Sequence, residues 1–349
     1  METTFRAAVL VKVNEPLEIL ELEFPKLEVG QILVQNRYSG ICRSQLMEVS
    51  GQRGVDPWLP HLLGHEGYGV VREVGPSVTK VAPGDKVVIS WISGLGINSK
   101  NPTYKTISGQ DINSGPATTF SEYSVVSENK VYLAPTGFPE DFIPQFGCAL
   151  LTGAGMVLSN ISAQDLNTPQ AILVLGFGGV GTSAALILKT IENSEIVIVE
   201  ESALRQEEAK KLGFNHVFSN LEQYQELNPG KLFDYCFEAA GSVKSIHEGF
   251  ASVKSNGVLV FASHPKKGDL INLDPYELIK GKTIKSTWGG NYPPDVAIIE
   301  IGKRLLKLGI DIKSLTGPKF TLDKVNQGLS YLQSGGPRKP LIDFGDLNW

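Results

Sequence analysis

The stretch AILVLGFGGVG, residues 171–181, decides how the second half of the chain folds. Its residues 172–175 form a short apolar run, Ile-Leu-Val-Leu, which predicts a strand buried on both faces. Gly176, Gly178 and Gly181 follow as a G-x-G-x-x-G, and residues 182–191 carry apolar side chains at helical spacing. A strand, a glycine turn and a helix in this order indicate a dinucleotide-binding unit.

Each of the three glycines has a physical reason. Gly176 permits the tight turn that leaves the strand, and Gly178 lets the backbone approach a pyrophosphate. Gly181 lets the helix pack close to the strand, and the N-terminus of that helix directs free N–H groups towards the anion.

A second predicted strand, residues 195–199, ends at Glu200, which lies 24 positions after Gly176. An acid near this spacing accepts hydrogen bonds from the ribose hydroxyls of NAD and repels a 2′-phosphate. The alternative is that Glu200 and Glu201 are solvated surface charges. Arg205 could bind a 2′-phosphate, so the pattern favours NAD without excluding NADP.

Composition places the chain among ordinary globular proteins. It has 349 residues, 42% hydrophobic and 20% charged, which suggests one or two domains with their own cores. The net charge of −5 does not favour a nucleic-acid or anionic-membrane partner. The first residues lack a basic segment followed by an apolar core, and no apolar run reaches the ~18 residues of a membrane helix. We therefore expect a cytoplasmic protein.

The number and low density of the cysteines argue against a disulfide framework. Cys42, Cys148 and Cys236 are few, odd in number and far apart. A lone cysteine is more often a small core residue than a ligand. Cys236 lies in the middle of a predicted strand, so we assign it to the core.

The chain before residue 135 or so is predicted to be β-rich, and the chain after it alternates. Residues 91–119 are polar with little periodicity, which predicts a long surface lobe. Short Val-, Ile- and aromatic-rich runs predict strands at residues 5–13, 31–36, 69–74, 86–90 and 120–127. Further strands are predicted at 216–218, 233–237 and 257–261, with helices at 203–212, 242–252, 295–308 and 322–334.

Strands separated by helices predict a parallel, doubly wound sheet. We therefore predict an internal cofactor domain at residues 150–285. The rest, residues 1–149 and 286–349, is predicted to form a second, β-rich domain, with the tail folding back onto the N-terminal part.

Five further motifs resemble those of the zinc-dependent medium-chain alcohol dehydrogenases. They are GICRS at 40–44, LLGHEG at 62–67, GDKV at 84–87, FGCALLTG at 146–153 and KPLIDF at 339–344. With the glycine motif, they cover nearly the whole chain in the family's order. The resemblance implies an α/β protein in which a GroES-like catalytic domain surrounds an inserted Rossmann domain.

The same resemblance implies that Cys42, His65 and Cys148 bind a catalytic zinc ion. Two thiolates and an imidazole leave a fourth position on tetrahedral Zn²⁺ for water or a substrate oxygen. Zinc would polarise that oxygen and lower the pKa of a bound alcohol. The alternative for each residue is a buried cysteine or a satisfied core histidine.

The remaining site residues are also taken from the resemblance. Ser44 corresponds to the residue that passes on the alcohol proton, and Glu66 to the glutamate that can approach the metal. Arg43 and Lys339 fall where the family contacts the pyrophosphate, although a Lys is a weaker, non-bidentate partner than an Arg. Thr152 and Val180 correspond to residues beneath and behind the nicotinamide. Trp58 and Trp91 either line a substrate pocket or pack as core or lid residues.

Three departures from the family pattern bear on function. The lobe at 91–119 has no cysteine, so we expect no structural zinc, one zinc ion per chain, and a lobe held by packing and hydrogen bonds. Gln45 replaces an acid that hydrogen-bonds the zinc histidine, which predicts weaker zinc binding. Met47 replaces a relay histidine, which predicts a shifted pH optimum; comparing the pH–rate profile of Met47→His would check this.

These observations favour a zinc- and NAD-dependent oxidoreductase that interconverts an alcohol and a carbonyl compound. A polyol or a sugar-derived secondary alcohol is the suggested substrate. The alternatives are a zinc-free enone or quinone reductase of the same superfamily, which would lack the metal ligands, and a non-catalytic nucleotide-binding homologue. The resemblance also implies a homodimer or homotetramer.

Overall fold

The apolar run at residues 172–175 lies inside a parallel sheet. The computed structural model describes residues 3–162, 165, 168–191, 194–266 and 268–346. Ala171–Leu175 pairs with a parallel strand on each side, and Ile172, Leu173 and Val174 are fully buried. The two-faced burial predicted from the sequence is therefore present.

The secondary structure runs in the following order along the chain. The strands are β1 Thr4–Leu10, β2 Glu18–Glu23, β3 Gln31–Gly40, β4 His61–Leu62, β5 Glu66–Val74, β6 Lys86–Ser90, β7 Tyr104–Lys105, β8 Asp111–Ile112, β9 Tyr123–Ser127, β10 Val131–Leu133, β11 Ala171–Leu175, β12 Glu195–Val199, β13 His216–Phe218, β14 Phe233–Glu238, β15 Val253–Phe261, β16 Thr283–Ser286, β17 Lys319–Phe320 and β18 Leu341–Asp343. The α-helices are α1 Arg43–Val49, α2 Ala149–Leu158, α3 Gly179–Leu188, α4 Ala203–Lys211, α5 Leu221–Leu227, α6 Val243–Ser252, α7 Pro275–Ile279, α8 Pro294–Lys307 and α9 Val325–Gln333. Short 3₁₀ turns lie at Glu128–Lys130, Ile143–Gly147, Ile312–Leu315 and Leu322–Lys324.

The chain divides into two compact units. The first contains Met1–Cys148 and Asp311–Trp349, and the second contains Ala149–Ile310. Among the residues that the structure describes, none of the helices is both long enough and apolar enough to cross a bilayer.

The second unit is built on a six-stranded parallel sheet. Its strand order is β13-β12-β11-β14-β15-β16, which is the doubly wound order with its reversal between β11 and β14. Helix α3 begins at Gly179, one turn before the predicted start, because the last glycines of the motif already have helical backbone. The mixed α/β class and the inserted Rossmann-like sheet predicted from the sequence are confirmed.

The first unit is organised around β3. One edge of β3 pairs with β5, and the other edge pairs first with β9 and then with β18. Gly40, the last residue of β3, lies opposite Leu341 of β18. The C-terminal segment is thereby brought beside the start of α1, which positions the site described below.

Several element limits differ from those predicted. The run at 31–36 extends to Gly40, and the run at 69–74 begins at Glu66. Strand β2 was missed, because its sequence EILELE is rich in Glu and half exposed, and Glu has a low preference for strands. The strands predicted at 86–90, 195–199 and 216–218 are present with those limits.

The segment 91–119 contains one short hairpin, formed by β7 and β8. Tyr104 and Ile112 of this hairpin are buried, and the Tyr104 hydroxyl accepts a hydrogen bond from the Val125 N–H at 2.9 Å. The buried Glu128 carboxylate accepts hydrogen bonds from the Thr79 and Ile97 N–H groups at 2.6 and 2.9 Å. Packing and hydrogen bonds to the neighbouring strands hold this segment.

Residues 286–310 group differently from the predicted domain limits. Contacts place them in the second unit, because α8 packs against α2 and α3. The sequence pattern showed an amphipathic helix here but not the surface that it covers. Residues 311–346 return to the first unit as predicted, and residues 347–349 of the predicted tail lie outside the described residues.

Candidate metal centre

The three predicted metal ligands all belong to the first unit, and each lies beside the end or the start of a secondary-structure element. Cys42 is the N-cap residue of α1, two residues after β3 ends. His65 immediately precedes β5, and Cys148 follows the 3₁₀ turn Ile143–Gly147. The backbone at such boundaries is held by the neighbouring elements, so the positions of the Cα and Cβ atoms of these residues are fixed.

The structure brings these three side chains together. The Cys42 and Cys148 sulfurs and a ring nitrogen of His65 all lie within 4.8 Å of one another. His65 Nδ1 contacts the Gln45 amide nitrogen, so the other ring nitrogen, His65 Nε2, is the one left to face the sulfurs. His65 Nε2 is buried and has no hydrogen-bond partner among the described residues, so it is the ring nitrogen available as a ligand atom.

The Cys42 and Cys148 side chains form a hydrogen-bonded pair. A hydrogen bond from the Cys148 thiol lowers the pKa of Cys42 well below its ordinary value, and the nearby Lys339 charge acts in the same direction. The same interaction, together with burial, raises the pKa of Cys148 well above its ordinary value. The pair therefore offers one ready thiolate and a second that a cation would deprotonate.

Glu66 lies beside this cluster in a cradle made by two glycines. A Cβ atom at Gly40 would overlap the Glu66 carboxylate, and one at Gly147 would lie 2.9 Å from the Glu66 Cβ. Glu66 is completely buried, and burial raises its pKa. The glycines that precede Cys42 and Cys148 thus make room for a carboxylate next to the thiols.

Lys339 supplies the counter-charge. Its ammonium group forms an ion pair with Glu66, and only 10% of the Lys339 side chain is exposed. Burial lowers the pKa of Lys339, but the charges of Cys42 and Glu66 outweigh this effect and raise it. The structure turns Lys339 inwards to Glu66, and its predicted contact with a pyrophosphate remains a prediction.

The residues present fit a divalent soft-to-borderline cation. Two thiolates and the Glu66 carboxylate carry three negative charges, and Lys339 offsets one of them. The two remaining negative charges match one divalent ion. Two sulfurs and one imidazole nitrogen are the donors that zinc prefers, and three protein ligands leave a position open.

Helix α1 places two further side chains at His65. The Ser44 hydroxyl lies 3.4 Å from His65 Nδ1, and the Gln45 amide nitrogen lies 2.5 Å from the same atom. Met47 is half-buried on the same helix. The start of α1 therefore carries a candidate metal ligand, a hydroxyl and an amide within reach of one imidazole.

The two tryptophans considered for the substrate pocket differ in their surroundings. The Trp91 ring lies 6.5 Å from the His65 ring, edge to face, and the backbone N–H of Trp91 donates a hydrogen bond to the backbone carbonyl of His65. Trp58 is 67% exposed. Trp91 is thus next to the cluster, whereas Trp58 has no such contact recorded in the described part of the chain.

The predicted cofactor residues lie in the second unit, except Arg43 and Lys339. Gly176 has a left-handed backbone (φ +86°), and a Cβ at Gly181 would overlap the Gly176 carbonyl oxygen. A Cβ at Gly178 would meet no heavy atom within 4 Å. Gly178 is the one glycine of the motif whose role is not explained by the fold itself.

Glu200 is not a solvated surface charge. It is 7% exposed, and its carboxylate accepts hydrogen bonds from the Phe177 N–H at 2.6 Å and the Ser202 N–H at 2.9 Å. The carboxylate therefore lies against the glycine turn. Thr152 is buried in α2, and Val180 is half-buried at the start of α3.

Sequence analysis missed Glu238, at the carboxyl end of β14. This buried carboxylate accepts hydrogen bonds from the Ala240 and Gly241 N–H groups at 2.8 and 2.9 Å. Ala240 is the residue that a Cβ at Gly176 would approach within 2.8 Å. An acid at the end of an apolar strand was the available signal, because Glu200 ends β12 in the same way.

Residues 28–136 match a family model described as the alcohol dehydrogenase GroES-like domain. Residues 179–301 match one described as zinc-binding dehydrogenase. The two matched regions lie on either side of Cys148.

Several alcohol dehydrogenases and solved structures match this chain over nearly the full length of both chains. The NDMA-dependent alcohol dehydrogenase of Amycolatopsis methanolica is 27% identical over 95% of this chain and 96% of its own. Alcohol dehydrogenase 1 of Trifolium repens is 26% identical over 95% and 94%. The benzyl alcohol dehydrogenase structure from Acinetobacter calcoaceticus has a TM-score of 0.86 at 25% identity, covering 99% and 100%. An alcohol dehydrogenase zinc-binding domain protein from Burkholderia ambifaria has a TM-score of 0.88 at 23% identity, covering 98% and 99%, and supports the fold.

Proposed function

Because the chain belongs to the zinc-type medium-chain dehydrogenase/reductase family and is an oxidoreductase acting on alcohols, we propose that it is zinc- and NAD-dependent. It transfers hydride between NAD and an alcohol or carbonyl substrate. A polyol or sugar-derived secondary alcohol is the proposed substrate class. Its single catalytic zinc is held by Cys42, His65 and Cys148.

The observation that carries this proposal is the convergence of two sulfurs and one imidazole nitrogen within 4.8 Å. The charge of Glu66 and Lys339 around them, and the unpaired His65 Nε2, support a divalent ion. Bound zinc would supply a Lewis acid for the substrate oxygen, and bound NAD would supply the hydride acceptor or donor.

The residues around the ligands have the following proposed tasks. Ser44, whose hydroxyl lies on the first turn of α1, takes up the proton that the alcohol loses. With Met47 in place of a relay histidine, that proton would leave through the ribose of bound NAD and water. Glu66, held by Lys339, would assist exchange of ligands at a bound metal.

Glu200 supports NAD as the cofactor. Its carboxylate is fixed at the glycine turn by two backbone N–H groups, and its remaining lone pairs are available to ribose hydroxyls. A 2′-phosphate at the same place would face this carboxylate. The exposed Arg43 is the proposed cation for the pyrophosphate, with Lys339 as a secondary one. The turn containing Gly176, Gly178 and Gly181 is proposed to hold the pyrophosphate. Thr152 and Val180 are proposed to face the nicotinamide.

The remaining predictions from the sequence are retained as proposals. By function, the catalytic domain comprises residues 1–149 and 286–349 and the cofactor domain comprises residues 150–285, while α8, within 286–310, packs on the second unit. We also propose a cytoplasmic homodimer or homotetramer. Chromatography with light scattering would determine the number of chains.

Metal analysis combined with an activity screen tests the proposed function. Protein purified without chelators is expected to contain one zinc per chain, and Cys148→Ser is expected to lose it. Cys236→Ala is the matched control, because Cys236 is buried in the core of the second unit. Production of NADH is then measured with polyols, secondary alcohols, benzyl alcohol and simple primary alcohols.

Two outcomes would contradict the proposal. Zinc-free wild-type protein that reduces enones or quinones would identify the zinc-free reductase of the superfamily. Protein that binds NAD but turns over none of the substrate classes would identify a non-catalytic nucleotide-binding homologue.

A further inference from the structure

Gln45 contacts two groups that require opposite ends of its side-chain amide. Its Oε1 accepts a hydrogen bond from the Cys42 N–H at 2.9 Å, and its Nε2 lies 2.5 Å from His65 Nδ1. Gln45 is only 2% exposed, so water does not replace either contact. An amide oxygen only accepts hydrogen bonds and an amide nitrogen only donates them, so the two ends are not interchangeable.

The Cys42 N–H determines which way the amide points. Cys42 is the N-cap of α1, and Gln45 is the third residue of that helix, whose side chain returns to the N-cap N–H as in a capping box. Turning the amide over would place its NH₂ group against the Cys42 N–H and leave a donor without an acceptor. Such a loss is costly in a site without water.

This orientation determines where His65 carries its hydrogen. Because Gln45 presents a donor to Nδ1, Nδ1 must accept, and the single hydrogen of the neutral imidazole lies on Nε2. The Ser44 hydroxyl, 3.4 Å from Nδ1, is also able to donate to it. Nε2 is the nitrogen left for the two sulfurs, and a metal needs the lone pair of that atom.

We propose that Gln45 sets the metal affinity of the site by holding His65 in the tautomer that cannot bind a metal. This inference rests on the proposed metal centre. When a metal binds, the ring loses its Nε2 hydrogen to water and gains one from water at Nδ1. The Gln45 amide must then turn so that Oε1 accepts from Nδ1, and the Cys42 N–H loses its acceptor.

A carboxylate at position 45 would not have this conflict. It has two acceptor oxygens, so it can accept from the Cys42 N–H and from His65 Nδ1–H at the same time. Carboxylate–histidine partners of this kind change metal affinity about 10–100-fold. Gln45 therefore acts as a positioning residue that favours release of the metal.

The tautomer can be measured directly in the metal-free protein. The chain has five histidines, so ¹⁵N-histidine labelling gives few signals, and the His65→Gln variant identifies the one from His65. We expect the Nε2–H form in the wild type and the Nδ1–H form in Gln45→Glu. The Nδ1–H form in the metal-free wild type would overturn the inference.

Zinc affinity, measured by competition with a chelator at one pH, gives the second test. Gln45→Glu is expected to bind zinc about tenfold or more tightly than the wild type. Gln52→Glu adds the same charge at an exposed position just beyond α1 and is expected to change affinity less than about twofold. Equal affinity of Gln45→Glu and wild type would overturn the inference.

Gln45→Met separates this inference from a purely structural role. Methionine has a similar shape but neither donates nor accepts a hydrogen bond here. It therefore removes the donor that opposes His65 Nδ1–H, and the Cys42 N–H lacks an acceptor both in the metal-free and in the metal-bound protein. We expect zinc affinity to stay unchanged or to rise. A tenfold loss would mean that Gln45 merely orients His65, and would overturn the inference.

Failure of the proposed function has a different signature. If neither the wild type nor Gln45→Glu binds zinc more tightly than Cys148→Ser does, the metal centre itself is refuted. If zinc binds through Cys148 but the Gln45 variants match the wild type in tautomer and affinity, only the inference is refuted.

Discussion

At the scale of single residues, Lys339 and Glu66 form a pair that the protein keeps out of water. Glu66 is fully buried and Lys339 is 10% exposed, so either charge without its partner would be unsolvated. Removing one member of such a pair costs about 3–5 kcal/mol, whereas replacing both can be nearly neutral. We expect Lys339→Met to lose stability in this range, and Glu66→Gln/Lys339→Met to recover most of it.

Urea unfolding at equal metal content would measure these changes. Lys319→Met is the control, because its pair with Asp141 is 40% exposed on the Lys side and should be worth about 1 kcal/mol or less. A double variant as unstable as Lys339→Met alone would contradict the argument.

Motifs in the sequence indicated the proposed ligand set but not every neighbour of it. Cys42, His65 and Cys148 stood in recognisable motifs, and the structure brings them together. The partner of Lys339 was not predictable, because residues 339 and 66 are joined only when β18 pairs with β3. No local pattern encodes that pairing.

At the scale of elements, the glycine turn between β11 and α3 contains one glycine required by packing and one that packing does not require. Gly181 is needed for close packing, whereas Gly178 faces open space in this structure. We expect Gly181→Ala to lose about 1–3 kcal/mol of stability through overpacking. Gly178→Ala should change the free energy of unfolding by less than about 1 kcal/mol but weaken NADH binding about tenfold.

Urea unfolding and a fluorescence titration with NADH would test both variants, and each serves as the control for the other. Unimpaired NADH binding by a well-folded Gly178→Ala would argue against a pyrophosphate at this turn.

The lobe at 91–119 gives a second prediction at this scale, through Glu128. Burial raises the pKa of this carboxyl, but hydrogen bonds from the Thr79, Ile97 and Lys80 N–H groups outweigh burial and lower it overall. A lowered pKa in the folded state adds stability above the ordinary value of 4.5, and that stability is lost as the pH falls through the lowered pKa.

We therefore expect Glu128→Gln to cost about 1–3 kcal/mol at neutral pH, because a neutral amide accepts these hydrogen bonds less strongly. The difference from the wild type should shrink as the pH falls below 4.5. Urea unfolding across this range, with the exposed Glu21→Gln as control, would measure it. A difference that does not change with pH would assign the loss to packing instead of charge.

At the scale of the whole molecule, α8 decides where the second unit ends. Its Ile298, Ile301 and Leu305 side chains are buried, and the helix packs against α2 and α3. Exposing three such side chains costs about 5–9 kcal/mol, which is comparable with the stability of a domain. We expect a fragment of residues 149–310 to fold and a fragment of residues 149–285 to remain unfolded.

Circular dichroism and thermal unfolding of the two fragments would check this expectation. A cooperative transition of similar midpoint in both would show that this unit folds without α8 and ends near residue 285, as the strand and helix pattern of the sequence predicts.

The sequence by itself determined the features that depend on neighbours along the chain. Apolar runs predicted strands, the glycine motif predicted the turn after β11, and the cysteine and histidine motifs indicated the residues proposed as metal ligands. These features can be predicted from the order of residues because each depends on the backbone and side chains of residues close together in the sequence.

Only the tertiary structure decided which distant groups share a site. It placed Lys339 on Glu66, set Gln45 between Cys42 and His65, and packed α8 onto the second unit. The Lys339–Glu66, Gln45–His65 and α8 contacts form only when segments remote in sequence pack together. The hydrogen-bond and charge requirements of such contacts depend on direction and burial, which a one-dimensional pattern does not contain.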